Sequence, residues 1–263
     1  MHFEQAAIIF LSMSHGTNED RIYQLSIATP VGALPHICIA VPDYEMRLVE
    51  LAPFFRNLTN EYVGLHIRAR ESQGKSLSCG PNCGACCKQL VPLSAIDVFA
   101  LVEHLLARPI HTRKPLLDAF AAIESRLGQS GIEGAIRGVD DVATITDAAR
   151  AYFFLDMDCP FLLNGSCSIH EIRPLACREY NVVSPPGLCS DPFNRPIQPI
   201  GLHRRISVLA AHFTAQIADV PDGLVPFPVM FDWYDTYRGI SLQKFPAQAL
   251  FDELFSYLSE ELK

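Results

Sequence analysis

The side chains in this chain best equipped for chemistry are its thiols, and they are clustered. Eight of nine cysteines fall in two blocks. The first is Cys79-Gly-Pro-Asn-Cys83-Gly-Ala-Cys86-Cys87, and the second carries Cys159, Cys167, Cys177 and Cys189. A Cys-x2-Cys turn brings two sulfurs to one point while its backbone N–H groups face them, as thiolate-bound zinc and iron–sulfur centres require. Gly84 inside Cys83-x2-Cys86, and Gly80 after Cys79, let the backbone come close. The pattern predicts a metal, zinc or an iron–sulfur cluster, held by cysteines between Cys79 and Cys189. The second block then closes a long loop around it. Cys38 stands outside, in a β-like apolar run, and reads as a small buried hydrophobe.

Four thiolates around Zn²⁺ or a [4Fe–4S]²⁺ core leave a net charge of about −2. Lys88, Arg173 and Arg178 flank the cysteines and are candidates to offset it. Vicinal Cys86 and Cys87 pose a geometric problem, because neighbouring side chains diverge. Either one of them packs or hydrogen-bonds, or the eight cysteines serve two metals or a cluster.

The order Cys-x3-Cys-x2-Cys-Cys continues with Cys159-Pro-Phe-Leu, Cys167-Ser-Ile-His and Arg173-Pro-Leu-Ala-Cys177-Arg-Glu-Tyr180. This order resembles the YkgJ-type cysteine-cluster family over Cys79 to Cys189, under half of the chain. The resemblance implies a zinc- or iron-chelating domain. It also implies that Cys79, Cys83, Cys86, Cys87, Cys159, Cys167, Cys177 and Cys189 all belong to the family's metal site. Flagellin lysine N-methylases are similar in carrying such a cluster as iron–sulfur, although nothing outside the cluster marks a methyl-donor site here. His170 stands where relatives often have a tyrosine, which favours packing or hydrogen bonding over ligation.

Two functional readings follow. One is a metal-binding protein holding an iron–sulfur cluster, [4Fe–4S] in type, or zinc, in a redox or metal-handling role. The other is an enzyme that uses the cluster on a protein or small-molecule substrate, by lysine N-methylase-like or radical chemistry. Iron–sulfur is placed slightly ahead of zinc because sulfur-only ligands at Cys-x3-Cys-x2-Cys spacing are common for it. That spacing also occurs in radical S-adenosylmethionine clusters, but Ala85 replaces the usual aromatic and no repeated strand–helix pattern suggests a barrel. No local signature pairs a cysteine with one of the nine histidines for hydrolysis.

A net charge of −8 argues against a nucleic-acid partner, which needs a basic face, and against docking on anionic membrane by charge. His203-Arg204-Arg205 reads as a solvated or loop-contacting face, and Trp233, Tyr234 and Tyr237 read as packing residues. The apolar stretch Ala6 to Met13 lacks the basic flank of a signal peptide and is too short to span a bilayer. With an odd number of cysteines and no export signal, a reduced, cytoplasmic protein is expected.

The elements that must position the thiols are mostly helical. Ile22 to Ala28 and His36 to Val41 alternate as a hairpin. Phe54, Leu58, Tyr62 and Leu65 share a helix face that ends at Arg68 and Arg70. Ser94 and Asp97 form a capping box for a helix through Leu106. A further helix runs from about Arg113 to Leu127, ended by Gly128 to Gly134. Ser184 to Gly201, with five prolines, is an extended wrapping loop. Ile206 to Ile217 and Leu250 to Leu258 are the last helices. The expected fold is α+β, mainly α, with a small N-terminal β-hairpin and irregular cysteine-bearing loops stitched by a metal centre. Its expected units are 1–75 (hairpin and helix), 76–195 (cysteine-cluster domain) and 196–263 (helical extension).

Overall fold

A computed structural model describes residues 7–8, 20–34, 37–41, 43–80, 82–137 and 142–262. Apart from Ala7 and Ile8, the apolar stretch Ala6 to Met13 lies outside the described residues, as does His36.

In chain order the elements are β1 (Ala7–Ile8), β2 (Arg21–Leu25), β3 (Ala28–Thr29), β4 (Gly32–Ala33), β5 (Ile37–Val41), β6 (Glu45–Arg47), α1 (Ala52–Glu71), β7 (Pro92–Leu93), α2 (Ala95–Ala107), α3 (Ile110–Ser130), α4 (Glu133–Arg137) and α5 (Val142–Phe153). After these come β8 (Leu162–Leu163), β9 (Ser166–Cys167), α6 (Leu175–Glu179), α7 (Ile206–Ile217), β10 (Val225–Pro226), α8 (Met230–Leu242), β11 (Lys244–Pro246) and α9 (Ala247–Glu261). The expected class, mainly α with some β, is what the chain adopts.

The N-terminal hairpin forms as its alternation requires. β2 runs antiparallel to β5 with Tyr23 opposite Ile39, and β1 pairs with β5 in parallel. Tyr23 and Leu25 on β2 and Ile37, Ile39 and Val41 on β5 are buried, while Ile22 faces solvent. β6 pairs with β11, which ties this sheet region to the start of α9. Phe54, Leu58, Tyr62 and Leu65 are all buried along α1, with Arg68 and Arg70 in its last turn. Ser94 Oγ accepts the Asp97 amide at 3.1 Å, and Asp97 Oδ2 accepts the Ser94 amide, so the expected capping box opens α2. α3 runs past Gly128 and stops at Gly131, whose φ of +77° supplies the left-handed cap.

Two apolar cores result. The first joins the N-terminal sheet, α1, α7 and α9, with Tyr23, Phe54, Phe251 and Phe255 in mutual ring contact. The second joins α2, α3, α5 and α8 around Phe99, Phe120, Phe161 and Phe227. Trp233 packs on Phe99 and Tyr237 in this second core, as expected of a packing residue. The second cysteine block spans both cores, since Phe161 and Ile169 belong to one and Leu175 to the other. Among the described residues no helix is long and apolar enough to cross a membrane.

Candidate metal centre

Each thiol reaches the site on a short, irregular element. In the first block successive turns close from Cys83 N to Gly80 O (3.2 Å), Cys87 N to Gly84 O (3.0 Å) and Gln89 N to Cys86 O (3.1 Å). In the second, a turn closes from Leu162 N to Cys159 O at 2.8 Å. The β8–β9 hairpin then folds over Asn164-Gly165, both with positive φ (50° and 77°), and sets Leu162 opposite Cys167. Asn-Gly is the side-chain pair that a two-residue hairpin of this kind demands, so this element was legible although sequence reasoning passed over it. Pro174 precedes α6, which presents Cys177 and packs against α1 and α7. Cys189 sits on a 3-10 turn, Pro186–Ser190, within the proline-rich loop, and a second turn follows it, closed from Arg195 N to Asp191 O at 3.0 Å, so the loop is extended only in part.

The two blocks are bonded to each other. Cys159 N donates to Cys87 O at 2.7 Å, and Ser166 Oγ donates to Asn82 Oδ1 at 2.6 Å. Ser78 N donates to Val182 O at 3.0 Å, and Val182 N reaches Cys79 Sγ at 3.4 Å. Gly84 lies under the β8–β9 hairpin. A Cβ there would stand 2.7 Å from Leu162 Cδ1 and 3.2 Å from the Gly165 carbonyl, so a side chain at this position would force Leu162 and the hairpin to shift.

Electrostatics link the eight thiols pair by pair into one connected set. Burial pushes the Cys79 thiol up, with Cys83 and Cys86 adding to the effect. Burial raises Cys159 to about 12, helped by Cys167 and Cys86. Cys177 rises well above the ordinary thiol value by burial, then by Cys159 and Cys86. Cys189 rises by burial and by Cys79, Cys86 and Cys83. The vicinal pair differs: a hydrogen bond from Cys87 lowers Cys86 to about 7, and the same bond raises Cys87. Crowded, half-buried thiols repel one another as thiolates, and a bound cation inverts that balance. Among the described residues, however, no three His, Cys, Asp or Glu side chains converge to metal-ligand geometry. The thiols are gathered without being closed on one point.

The surroundings nevertheless suit an anionic metal–thiolate centre. Arg173 Nε is buried with no hydrogen-bond partner among the described residues, and the Arg173 charge lowers the pKa of Cys79, Cys86 and Cys177. A buried, unpartnered guanidinium N–H is costly unless an acceptor arrives. The backbone amides of Phe161 and Leu162 lie beside the Cys159 thiol and oppose the rise of its pKa. Amides so placed stabilise metal-bound thiolates.

The other two candidate cations act differently. Lys88 Nζ is paired with Asp156 at 2.5 Å and with Asp158 at 3.8 Å, on the exposed side. Arg178 is buried and bonded to Asn60 Oδ1 (2.9 Å), Arg173 O (3.1 Å) and Glu171 O. Burial lowers its pKa to about 10. It holds the backbone that carries Arg173. His170 is exposed on its own 3-10 turn, and Arg173 is the first cause of its lowered pKa. Cys38 is half-buried rather than buried, because the pleat of β5 turns Ile37, Ile39 and Val41 inward and Cys38 the other way. His203, Arg204 and Arg205 are exposed, as a solvated or loop-contacting face requires, and the His203 ring reaches back to His66 Nε2 at 3.0 Å.

Residues 78–195 match a family model, CxxCxxCC, described as "Putative zinc- or iron-chelating domain". No curated protein and no solved structure matches the chain. Residues 78–195, under half of the chain, are therefore similar in sequence to the zinc- or iron-chelating cysteine-cluster domains.

Proposed function

We propose that Cys79, Cys83, Cys86, Cys87, Cys159, Cys167, Cys177 and Cys189 hold an iron–sulfur cluster, with zinc as the alternative metal, and that the protein serves in redox chemistry or metal handling in the cytoplasm. The observation that carries this reading is the position of Cys86. It lies within electrostatic reach of Cys79, Cys87, Cys159, Cys177 and Cys189, drawn from both blocks. Zn²⁺ and a [4Fe–4S] cluster each take four thiolates, so eight gathered thiols supply donors enough for a cluster and a second metal beside it. The buried Arg173 Nε supports a net negative centre. Sulfur-only donors suit both metals, and Cys-x3-Cys-x2-Cys spacing favours iron–sulfur.

Anaerobic purification with metal analysis and a visible spectrum tests the choice. The expected result is a brown protein with iron, sulfide and broad absorption near ~400 nm. A colourless protein with stoichiometric zinc overturns the iron–sulfur assignment, and a chain that retains neither metal overturns the reading as a whole. A second reading, an enzyme acting on a small molecule or protein at the centre, is favoured by a cavity of about 490 Å³ that borders the cysteine loops.

A further inference from the structure

The cavity is framed by residues adjoining the cysteines of both blocks. Ala85 lies between Cys83 and Cys86, Lys88 follows Cys87, and Ser190 follows Cys189. A molecule seated there lies against the backbone of the thiol-bearing turns. Its opposite wall is aromatic. The Phe153, Phe154 and Phe193 rings stand 5.6 to 6.4 Å apart, and Phe154 is 57% exposed. An aromatic ring left that open at a cavity mouth offers apolar area for a ligand ring to cover.

The polar groups define the sign of the ligand. Lys88 is committed to Asp156 and Asp158. The Asp191 carboxylate accepts the Asn194 side-chain amide at 2.9 Å. Arg195 lines the same cavity, and its guanidinium has no hydrogen bond or ion pair among the described residues. Arg150 adds positive charge at the rim, its guanidinium carbon 5.9 Å from the Phe154 ring centre. Lysine and arginine charges balance the two aspartates of the lining, and Arg195 is the charged side chain there with no bonded partner among the described residues. A guanidinium fork matches a carboxylate in geometry as well as charge.

We infer that this cavity binds a small aromatic carboxylate, its ring against Phe153 and Phe154 and its carboxylate on Arg195. The inference takes the cavity named in the enzyme reading and supplies a ligand class for it. Binding itself needs only the cavity's own side chains, so metal content measured on the same samples separates the two claims.

The test is calorimetric titration of the purified full-length chain with 3-phenylpropionate and, in parallel, with phenethylamine. Saturable one-to-one binding of the carboxylate is expected, with none for the amine. Arg195→Gln is expected to weaken binding about tenfold, and Phe154→Ala several-fold. Both residues are exposed, and circular dichroism checks that each variant is folded. In metal-loaded protein, 3-phenylpropionate is also expected to perturb the visible spectrum. No saturable binding up to ~10 mM, equal binding of the amine, or wild-type affinity in Arg195→Gln overturns the inference. Loss of metal without loss of carboxylate binding leaves it standing and counts against the proposed metal centre alone.

Discussion

The carbonyl of Cys87 accepts the amide of Cys159 at 2.7 Å, so the last cysteine of the first block and the first of the second are joined through the main chain. That bond sets the vicinal Cys86–Cys87 pair against Cys159 and, through α6, Cys177. Cys86 is the acidic member, stabilised as thiolate by the Cys87 S–H.

Because the second block supplies half of the proposed donors, Cys177→Ser should lower the bound metal to roughly half or less of the wild-type value. Cys38→Ser, on β5 away from both blocks, should leave it unchanged. Metal per chain by elemental analysis reads both. Equal loss in the two variants would show that the cysteine cluster is not the binding site.

Gly84→Ala should destabilise the fold by about 1–3 kcal/mol, because its Cβ would meet Leu162 Cδ1 at 2.7 Å beneath the β8–β9 hairpin. Gly80→Ala, whose Cβ would meet nothing within 4 Å, should cost under about 0.5 kcal/mol. Thermal unfolding of the pair measures the difference, and similar melting temperatures would contradict the close packing at Gly84.

Arg173→Gln should weaken metal retention against a competing chelator by about tenfold, since it removes the positive charge that favours the Cys79, Cys86 and Cys177 thiolates. Arg173→Lys should recover part of the loss. Identical retention by Arg173→Gln and wild type would assign Arg173 a packing role only.

His66 gives a pH signature remote from the thiols. Its Nδ1–H donates to Tyr62 O at 2.9 Å, so a neutral ring accepts from His203 Nδ1 through Nε2 at 3.0 Å. Burial is the first cause holding its folded pKa below the ordinary 6.5. Above that value neither folded nor unfolded state carries the proton. As the pH falls from 6.5 through the depressed folded value, the unfolded state binds the proton first, and stability is lost. Denaturant unfolding between pH 7.5 and 5 should show this loss, and His66→Gln should flatten it. An unchanged slope in the variant would place the titrating group elsewhere.

Much of the scaffold was legible because its signals are local. The α1 face from Phe54 to Leu65 and the Ser94–Asp97 box at α2 announce themselves within a few residues. α5 is less legible, because its start gathers Val142, Thr144 and Ile145, which favour strands. α8 was missed for another reason: Pro226 and Pro228 precede it, Gly239 lies within it, and Tyr237 leaves helical geometry. The β6–β11 pairing links distant segments and has no local signal. Within the site, cysteine spacing identified the thiols but not what surrounds them. The unpartnered Arg173 Nε, the Asn82–Ser166 bond and the Val182 amide on Cys79 depend on how the two blocks meet.

The central claim is that the eight clustered thiols hold the metal together, and cysteine alkylation read by mass spectrometry tests it most directly. In metal-loaded protein under native conditions the account predicts modification of Cys38 at most. After metal removal and unfolding, all nine cysteines should react. Rapid alkylation of Cys79, Cys83, Cys86, Cys87, Cys159, Cys167, Cys177 and Cys189 while the metal remains bound would contradict it.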